Sequence, residues 1–155
     1  MVGLQISLLP DKMAARTVAA WQYEQWGVGY PGMSFRDFLG DVERGIRSEH
    51  IPVILVGIVG GEVVGTASII ENDLPSRTDI NPWLASVFVR PDFRNRGIGT
   101  ALIEAAITHA GKLGIQRLHL FTHDLEEFYS RFGWMKIDRS DFMGLEVSIM
   151  AREMS

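Results

Sequence analysis

The sequence predicts one mixed α/β domain with a single central sheet. The chain has 155 residues, the size of one ordinary domain, and no linker or fixed-period repeat divides it. Apolar runs of strand length alternate with segments whose apolar residues recur at helical spacing. Hydrophobic residues make up 46% and charged residues 22%, the balance of a folded globular chain. We therefore expect residues 1–155 to form one domain.

The first half of the chain predicts a strand, two helices and a hairpin. Asp11 and Ser34 are good N-cap residues for the two helices, because their side-chain oxygens can accept from the unpaired N–H groups of a first helical turn. Gly60-Gly61 separates two apolar runs, which is a strong signal for a tight β-hairpin. The predicted elements are a strand at residues 4–9, a helix from Asp11 toward residue 26, a glycine-rich loop at 27–32, a helix at 35–46, and strands at 53–59 and 62–70.

The second half predicts four strands and two helices. Residues 83–89 are almost all apolar, as expected for a strand buried on both faces. A charged connection, residues 90–96, leads into a helix that Gly111 or Gly114 ends, and Gly133 closes a shorter helix. The predicted elements are a loop at residues 72–82, strands at 83–89 and 118–122, helices at 97–112 and 125–132, and strands at 134–138 and 145–152.

Composition and charge exclude several classes of function. The chain contains no cysteine, which excludes disulfides, thiolate zinc sites and cysteine nucleophiles. The net charge of −4 argues against sequence-independent nucleic-acid binding. The longest apolar run, residues 51–59, is too short to span a bilayer, and a secretory signal is not evident, so we expect a cytoplasmic protein with no membrane partner. The closest histidine pair, His119 and His123, has no third ligand, so we expect no metal.

The sharpest local feature is the segment Arg94–Thr100, which follows a buried strand and opens a helix. The first N–H groups of a helix lack internal partners and carry partial positive charge. Glycines at 97 and 99 would let an anion approach the backbone, and Arg94 and Arg96 add positive charge. The pattern predicts a phosphate or pyrophosphate site. It fits neither a P-loop, which needs a lysine before Thr100, nor a dinucleotide fold, which needs a third glycine where Leu102 stands.

Residues 87–102 resemble the acyl-CoA-binding motif of the GNAT superfamily of N-acetyltransferases, in which Arg or Gln is followed by two residues, Gly, one residue, and Gly or Ala. Residues 126–134 resemble the family's second motif, a helix ending in Tyr, three residues, Gly and an aromatic. The resemblance implies a twisted, mostly antiparallel sheet of about seven strands with about four helices. It implies that acetyl-CoA binds as co-substrate, its pantetheine arm along one strand edge and its pyrophosphate on the loop backbone. The residues so assigned are Val87, Phe88, Val89, Arg94, Asn95, Arg96, Gly97, Ile98, Gly99 and Thr100.

The resemblance also suggests catalytic residues. Tyr129 stands where many members of the family carry the acid that protonates the CoA thiolate, although its place on an apolar helical stripe is equally typical of a core tyrosine. For the base, Glu71 is our first candidate, ahead of Asp73 and His119. The family places the oxyanion donor on the backbone of the strand before the glycine loop, at Val89 or Val87.

The resulting functional hypothesis is an acetyl-CoA-dependent N-acetyltransferase acting on a primary amine. Direct attack in a ternary complex is favoured because no cysteine can carry a thioester acyl-enzyme. A carboxylate-bearing loop, Glu71 to Asp79, would attract a cationic amine, and the aromatic segment 26–30 would border its site. The acceptor is open between a small molecule and a peptide or protein amine, as is acetyl against a longer acyl donor. A CoA-binding sensory module without catalysis is the alternative, and pairing of terminal strands would allow a homodimer.

Overall fold

The computed structural model describes residues 3–154, which form seven strands and four α-helices. The strands lie in one sheet in the order β1-β2-β3-β4-β5-β7-β6, and every neighbouring pair is antiparallel except β4 and β5. This confirms the predicted fold class. The elements are β1 Leu4–Leu8, α1 Lys12–Trp26, α2 Phe35–Glu43, β2 Val53–Val59, β3 Glu62–Ile70, β4 Trp83–Val89, α3 Ile98–Lys112, β5 Arg117–Thr122, α4 Glu126–Ser130, β6 Met135–Phe142 and β7 Leu145–Glu153.

Local signals account for most of these boundaries. Asp11 accepts the N–H of Ala14 at 2.9 Å, and Ser34 forms a reciprocal capping box with Asp37 at the start of α2. Gly60 and Gly61 have φ of +58° and +83°, as a two-residue hairpin turn with both φ angles positive requires. The predicted caps and hairpin are therefore confirmed.

Strand β6 is longer than its sequence suggests. The prediction ended it at residue 138, because charged residues follow, yet the strand continues to Phe142. It does so because it pairs with β7 along its length, from Met135 opposite Ala151 to Phe142 opposite Leu145. Residues 135–139 are exposed on both faces of this edge strand, and such a position tolerates charged residues.

The sheet carries helices on both faces. In β2 the side chains alternate: Val53 and Leu55 join the core beneath α3, whereas Ile54 and Val56 pack with α1 and α2. This alternation separates two apolar layers and explains why β2 is a continuous apolar run. Within residues 3–154, no helix is both long and apolar enough to cross a membrane.

A bulge in β4 opens the sheet at its centre. Thr66 of β3 pairs with Phe88 and Ser68 pairs with Ala85, so two residues of β4 stand opposite one of β3. Ser86, within the bulge, has a φ of +57°. Among the described residues, β4 and β5 pair at one position only, Trp83 with His119.

Candidate active site

The gap between β4 and β5 leaves part of a strand edge unpaired. Past Trp83, the edge of β4 that faces β5 has no ladder partner within residues 3–154. Such an edge can accept an extended ligand as though it were an added strand. The predicted pantetheine-binding residues Val87, Phe88 and Val89 all lie on this segment, and Val87 also lines the adjoining cavity.

A cavity of about 900 Å³ begins at this gap. Its walls come from α1 and α2, the β3–β4 loop, the facing parts of β4 and β5, and the turn between β6 and β7. Tyr129 reaches it from the α3 layer, and Glu71 and Asp73 reach it from the end of β3. The fold therefore brings the predicted acid and both predicted carboxylates to one cavity.

The α3 N-terminus has the features of an anion site. Gly97 is the N-cap with a φ of +80°, and no side chain caps the helix. The first intrahelical bond from this end runs from the Ala101 N–H to the Gly97 carbonyl at 3.0 Å. The N–H groups of Ile98, Gly99 and Thr100 consequently point outward without helical partners. A Cβ on Gly99 would lie 3.6 Å from Val89 Cγ2, an ordinary contact, so the fold itself does not require glycine there.

The two arginines of the loop differ in their contacts. Arg94 donates from Nε to the Val89 carbonyl at 2.8 Å, and its guanidinium lies 5.4 Å from the centroid of the Phe88 ring. Arg96 is exposed and stacks over Phe93, with its guanidinium carbon 4.9 Å from the ring centroid. Arg94 thus ties the loop to β4, whereas Arg96 presents its charge to solvent beside the helix N-terminus.

Tyr129 is both a core residue and a cavity residue. Only 8% of it is exposed, and its ring packs edge-on against Phe128 and Trp134. Burial raises its pKa to about 12, so its hydroxyl is protonated at neutral pH. A protonated phenol at the cavity wall can donate a proton to a departing thiolate, and this is compatible with its place in the core.

The two predicted carboxylates have different environments. Glu71 is exposed, while Asp73 is partly buried where it contacts the Tyr30 hydroxyl. The Tyr30 hydroxyl donates to the Asp73 carbonyl at 2.6 Å and lies 3.1 Å from Asp73 Oδ1. Burial raises the pKa of Asp73 to about 7, even though the hydrogen bond from Tyr30 acts in the opposite direction. Asp79, further along the loop, instead pairs with Arg77 at 3.0 Å, which holds its pKa below the usual value.

The two histidines near the β5 strand differ, and His119 takes a structural position. His119 Nδ1 lies 3.1 Å from the Pro82 carbonyl, its ring packs near Trp83, and burial lowers its pKa. His119 is not among the residues that line the cavity, whereas the exposed His123 is. In the part of the chain that the structure describes, no three His, Asp or Glu side chains come together as a metal site.

Ser68 and Phe142 line the cavity without a signal in the sequence, whereas Tyr30 belongs to the aromatic segment that was expected to border the acceptor site. Ser68 lies in an apolar strand, and its buried hydroxyl has no hydrogen-bond partner within residues 3–154. Tyr30 and Phe142 meet across the cavity with ring centroids 5.5 Å apart. Their contact joins segments more than a hundred residues apart, which no local pattern could indicate.

The comparison with protein families agrees with this architecture. The model of the acetyltransferase (GNAT) family matches residues 15–134, well over half of the chain. The chain therefore belongs to the GNAT family of acetyltransferases.

Individual relatives are more distant. An uncharacterized N-acetyltransferase of Methanocaldococcus jannaschii is 48% identical over 52 residues, which make up 31% of this chain and 23% of that relative. The matched part is thus less than a quarter of the curated relative's length. An N-acetyltransferase from Staphylococcus aureus Mu50 superposes with a TM-score of 0.76 at 14% identity, over 98% of this chain and 99% of that one. A putative acetyltransferase from Salmonella typhimurium, yncA, solved with acetyl-CoA, gives 0.74 at 15% identity, over 99% and 95%. These similarities establish the fold.

Proposed function

We propose that this chain is an acetyl-CoA-dependent N-acetyltransferase that transfers an acetyl group to a primary amine by direct attack in a ternary complex. The observation that carries the proposal is the continuity of three features. Three features lie next to one another along β4: the uncapped N-terminus of α3, the unpaired edge of β4, and the cavity that Tyr129 lines. An acyl-CoA, in which the pantetheine arm joins the thioester to a pyrophosphate, matches this order of sites.

The residues of the predicted cofactor site fit an acyl-CoA in chemical terms. The outward N–H groups at Ile98–Thr100 and the exposed Arg96 would hold the pyrophosphate. Gly99 has room for a Cβ within the protein, so a closely approaching ligand is a reason for a glycine at this position. Backbone groups of Val87 to Val89 would bind the pantetheine amides. The backbone N–H of Val87 or Val89, next to the bulge, is the candidate donor to the developing oxyanion.

The chemistry requires proton transfers that the chain can provide. Acetyl-CoA supplies an activated acetyl group and a sulfur leaving group. A lysine-like amine has a pKa near 10.4 and arrives protonated, so it must lose one proton before attack and a second as the C–N bond forms and the C–S bond breaks. Asp73 in its ionised form accepts the first proton and passes it to solvent, and the carboxylate then accepts the second as the C–N bond forms. Tyr129 donates its proton to the departing sulfur and recovers one from solvent.

Asp73 is better placed as the base than Glu71, our first candidate from the sequence. Both line the cavity, but Asp73 is the more buried and has a pKa close to neutrality. A base is most effective when its pKa lies near the working pH. Glu71 stays a prediction, and replacing each carboxylate by its amide distinguishes the two.

The test has a binding arm and a chemical arm. Millimolar acetyl-CoA should raise the melting temperature, because a ligand present at ~100 times its Kd adds ~2.7 kcal/mol of stability. Free thiol should then appear when a panel of primary amines is added. Stabilisation without thiol release for any amine would favour the non-catalytic CoA-binding module. No stabilisation would refute the proposal, and competition among acyl-CoAs of increasing chain length would settle the donor.

A further inference from the structure

One part of the cavity, which we call the aromatic end, is rich in aromatic side chains. Trp26, Tyr30, Phe38, Phe121 and Phe142 all line it. Several of these rings touch one another, with centroids 5.0 Å apart for Phe121 and Phe142 and 6.1 Å for Tyr30 and Phe38. A ligand that fills this end would lose its contacts with water and pack against the faces and edges of these rings.

Three chain segments meet over this aromatic end and form what we call the clasp: Gly29, Tyr30, Asp73 and Phe142. The Tyr30 hydroxyl holds the β3–β4 loop through the Asp73 carbonyl at 2.6 Å. The Phe142 ring lies so close to Gly29 that a Cβ at position 29 would overlap it. The clasp therefore bridges the α1–α2 connection and the β6–β7 turn above the cavity.

The clasp is anchored from outside as well. Arg77 of the β3–β4 loop donates to Asp138 of β6 at 2.7 Å, and the hydroxyls of Ser76 and Ser140 lie 2.7 Å apart. These contacts hold the loop that carries Asp73 against the strand that leads to Phe142. We infer that a bridge fixed at both ends would obstruct an extended peptide across this part of the surface.

The floor of the same cavity holds one polar group without a partner. Ser68 is 2% exposed, lines the cavity, and has no hydrogen bond to its hydroxyl within residues 3–154. It lies directly opposite Ala85, next to the bulge at Ser86. A buried hydroxyl without a partner is costly, and a ligand that brings a donor or acceptor to it gains accordingly.

The charges around the cavity are few and peripheral. Asp41 and Glu71 are exposed at its margin together with Arg44, and Asp73 is the one carboxylate among the lining residues that is partly buried. One cationic group can thus be neutralised inside. A polyamine bound wholly inside the cavity would have to place further charges against aromatic and aliphatic side chains, where desolvation is expensive.

We propose that the acceptor is a small primary amine carried on an apolar, ring-sized body, which lies beneath the clasp with its nitrogen directed to Ser68 and Asp73. This assignment rests on the proposed acetyltransferase function and specifies its acceptor. The apolar body occupies the aromatic end, and the Ser68 hydroxyl orients the nitrogen toward the β4 bulge. Ser68 is a positioning residue, whereas Asp73 takes part in the proton transfer.

The first test compares three amines of different classes. Thiol release from acetyl-CoA is measured with phenethylamine, with spermidine, and with a short peptide that has a free N-terminus and one lysine. We expect the ring-bearing amine to have a kcat/KM at least about 10-fold above the others, the scale of one well-filled apolar subsite. A preference for spermidine or the peptide would overturn the inference and leave the proposed function standing.

Calorimetry separates the two proposals if no amine is acetylated. Each amine is titrated into the protein saturated with CoA. Binding of phenethylamine without thiol release would support a ring-bearing amine as the ligand of this cavity and refute the transferase function. Absence of phenethylamine binding would overturn the assignment regardless of the kinetics.

Two variants and a matched control test the clasp. Gly29→Ala should displace the Phe142 ring, and Phe142→Ala should remove it, so each should raise the KM for phenethylamine by about 10-fold. Gly40→Ala is the control, because a Cβ there meets no atom within 4 Å. None of the three should change the Kd of acetyl-CoA. Unaltered KM values in both clasp variants would refute the role of the clasp.

Ser68→Ala tests the floor of the cavity. A hydrogen bond to the amine that is equally strong in the ground and transition states affects KM and leaves kcat unchanged. We therefore expect the KM for phenethylamine to rise by about 5- to 10-fold, with kcat and the Kd of acetyl-CoA retained. An unchanged KM would show that the hydroxyl does not contact the acceptor.

Discussion

Replacing Asp73 by asparagine should remove a pH-dependent cost to stability. Burial raises the pKa of Asp73 from 3.8 to about 7 in the folded protein. Each unit of such a shift corresponds to about 1.4 kcal/mol of difference between the two protonation states. Ionising this carboxylate in the folded protein therefore costs about 4 kcal/mol relative to the unfolded chain.

The sign follows from proton binding. Between about pH 4 and pH 7 the folded protein keeps a proton on Asp73 that the unfolded chain has lost, so the free energy of unfolding falls as the pH rises. Below about pH 4 both states are protonated, and above about pH 7 both are ionised, so the contribution is level on either side of this window. Asp73→Asn lacks the titration but keeps an oxygen that can accept from Tyr30.

The assay is urea unfolding of the wild type and the variant from pH 4 to pH 8. The stability of Asp73→Asn minus that of the wild type should grow by about 4 kcal/mol across the window and then stay constant. Glu71→Gln is the matched control, because Glu71 is exposed. A difference that does not change with pH would show that Asp73 ionises normally, and the argument for it as the base would fail. If Asp73 is the base, kcat/KM of the wild type should fall on the acidic side of about pH 7, and this limb should disappear in the variant.

Three further substitutions test separate parts of the site. Tyr129→Phe should lower kcat, measured by stopped-flow thiol release, by about 100-fold with little change in the Kd of acetyl-CoA. An unchanged kcat would show that Tyr129 is not the acid. Ser68→Ala should raise the melting temperature by about 2–4 °C, because a buried hydroxyl without a partner costs ~1 kcal/mol or more. A lower melting temperature would mean that the hydroxyl has a hydrogen-bond partner in the free protein. Gly99→Ala should weaken acetyl-CoA binding by about 10-fold in calorimetry. The variant should keep its stability, because the added Cβ would make only an ordinary contact with Val89. An affinity equal to that of Gly40→Ala would argue against close approach of a ligand to Gly99.

The fold was predictable because its signals are local. The N-caps at Asp11 and Ser34 and the hairpin at Gly60-Gly61 each depend on residues within a few positions of one another. The signal that ends α3 is also local: Gly114 has a φ of +75°, and the Ile115 N–H donates to the Ala110 carbonyl. The extent of β6 was not predictable, because its charged half is a strand only through pairing with β7.

The candidate site was predictable where it is contiguous in the chain. Arg94, Gly97 and Gly99 lie within six positions, so one motif is enough to predict an anion site at the start of α3. The choice between Glu71 and Asp73 as the base, by contrast, could not be made from a contiguous motif. Their sequence contexts are nearly the same, and they differ in the burial that Tyr30 imposes on Asp73.

The sequence alone thus determines the order of the elements, the class of the domain and the segment that would hold a pyrophosphate. The acceptor end of the cavity depends on tertiary packing, because Tyr30 meets Asp73 across 43 positions and Phe142 comes from the far end of the chain. Helix caps, turns and periodicity arise from interactions between near neighbours, which a linear pattern records. The depth of a cavity and the pKa of its carboxylate arise from which distant residues exclude water, and that is decided only when the sheet and its helices assemble.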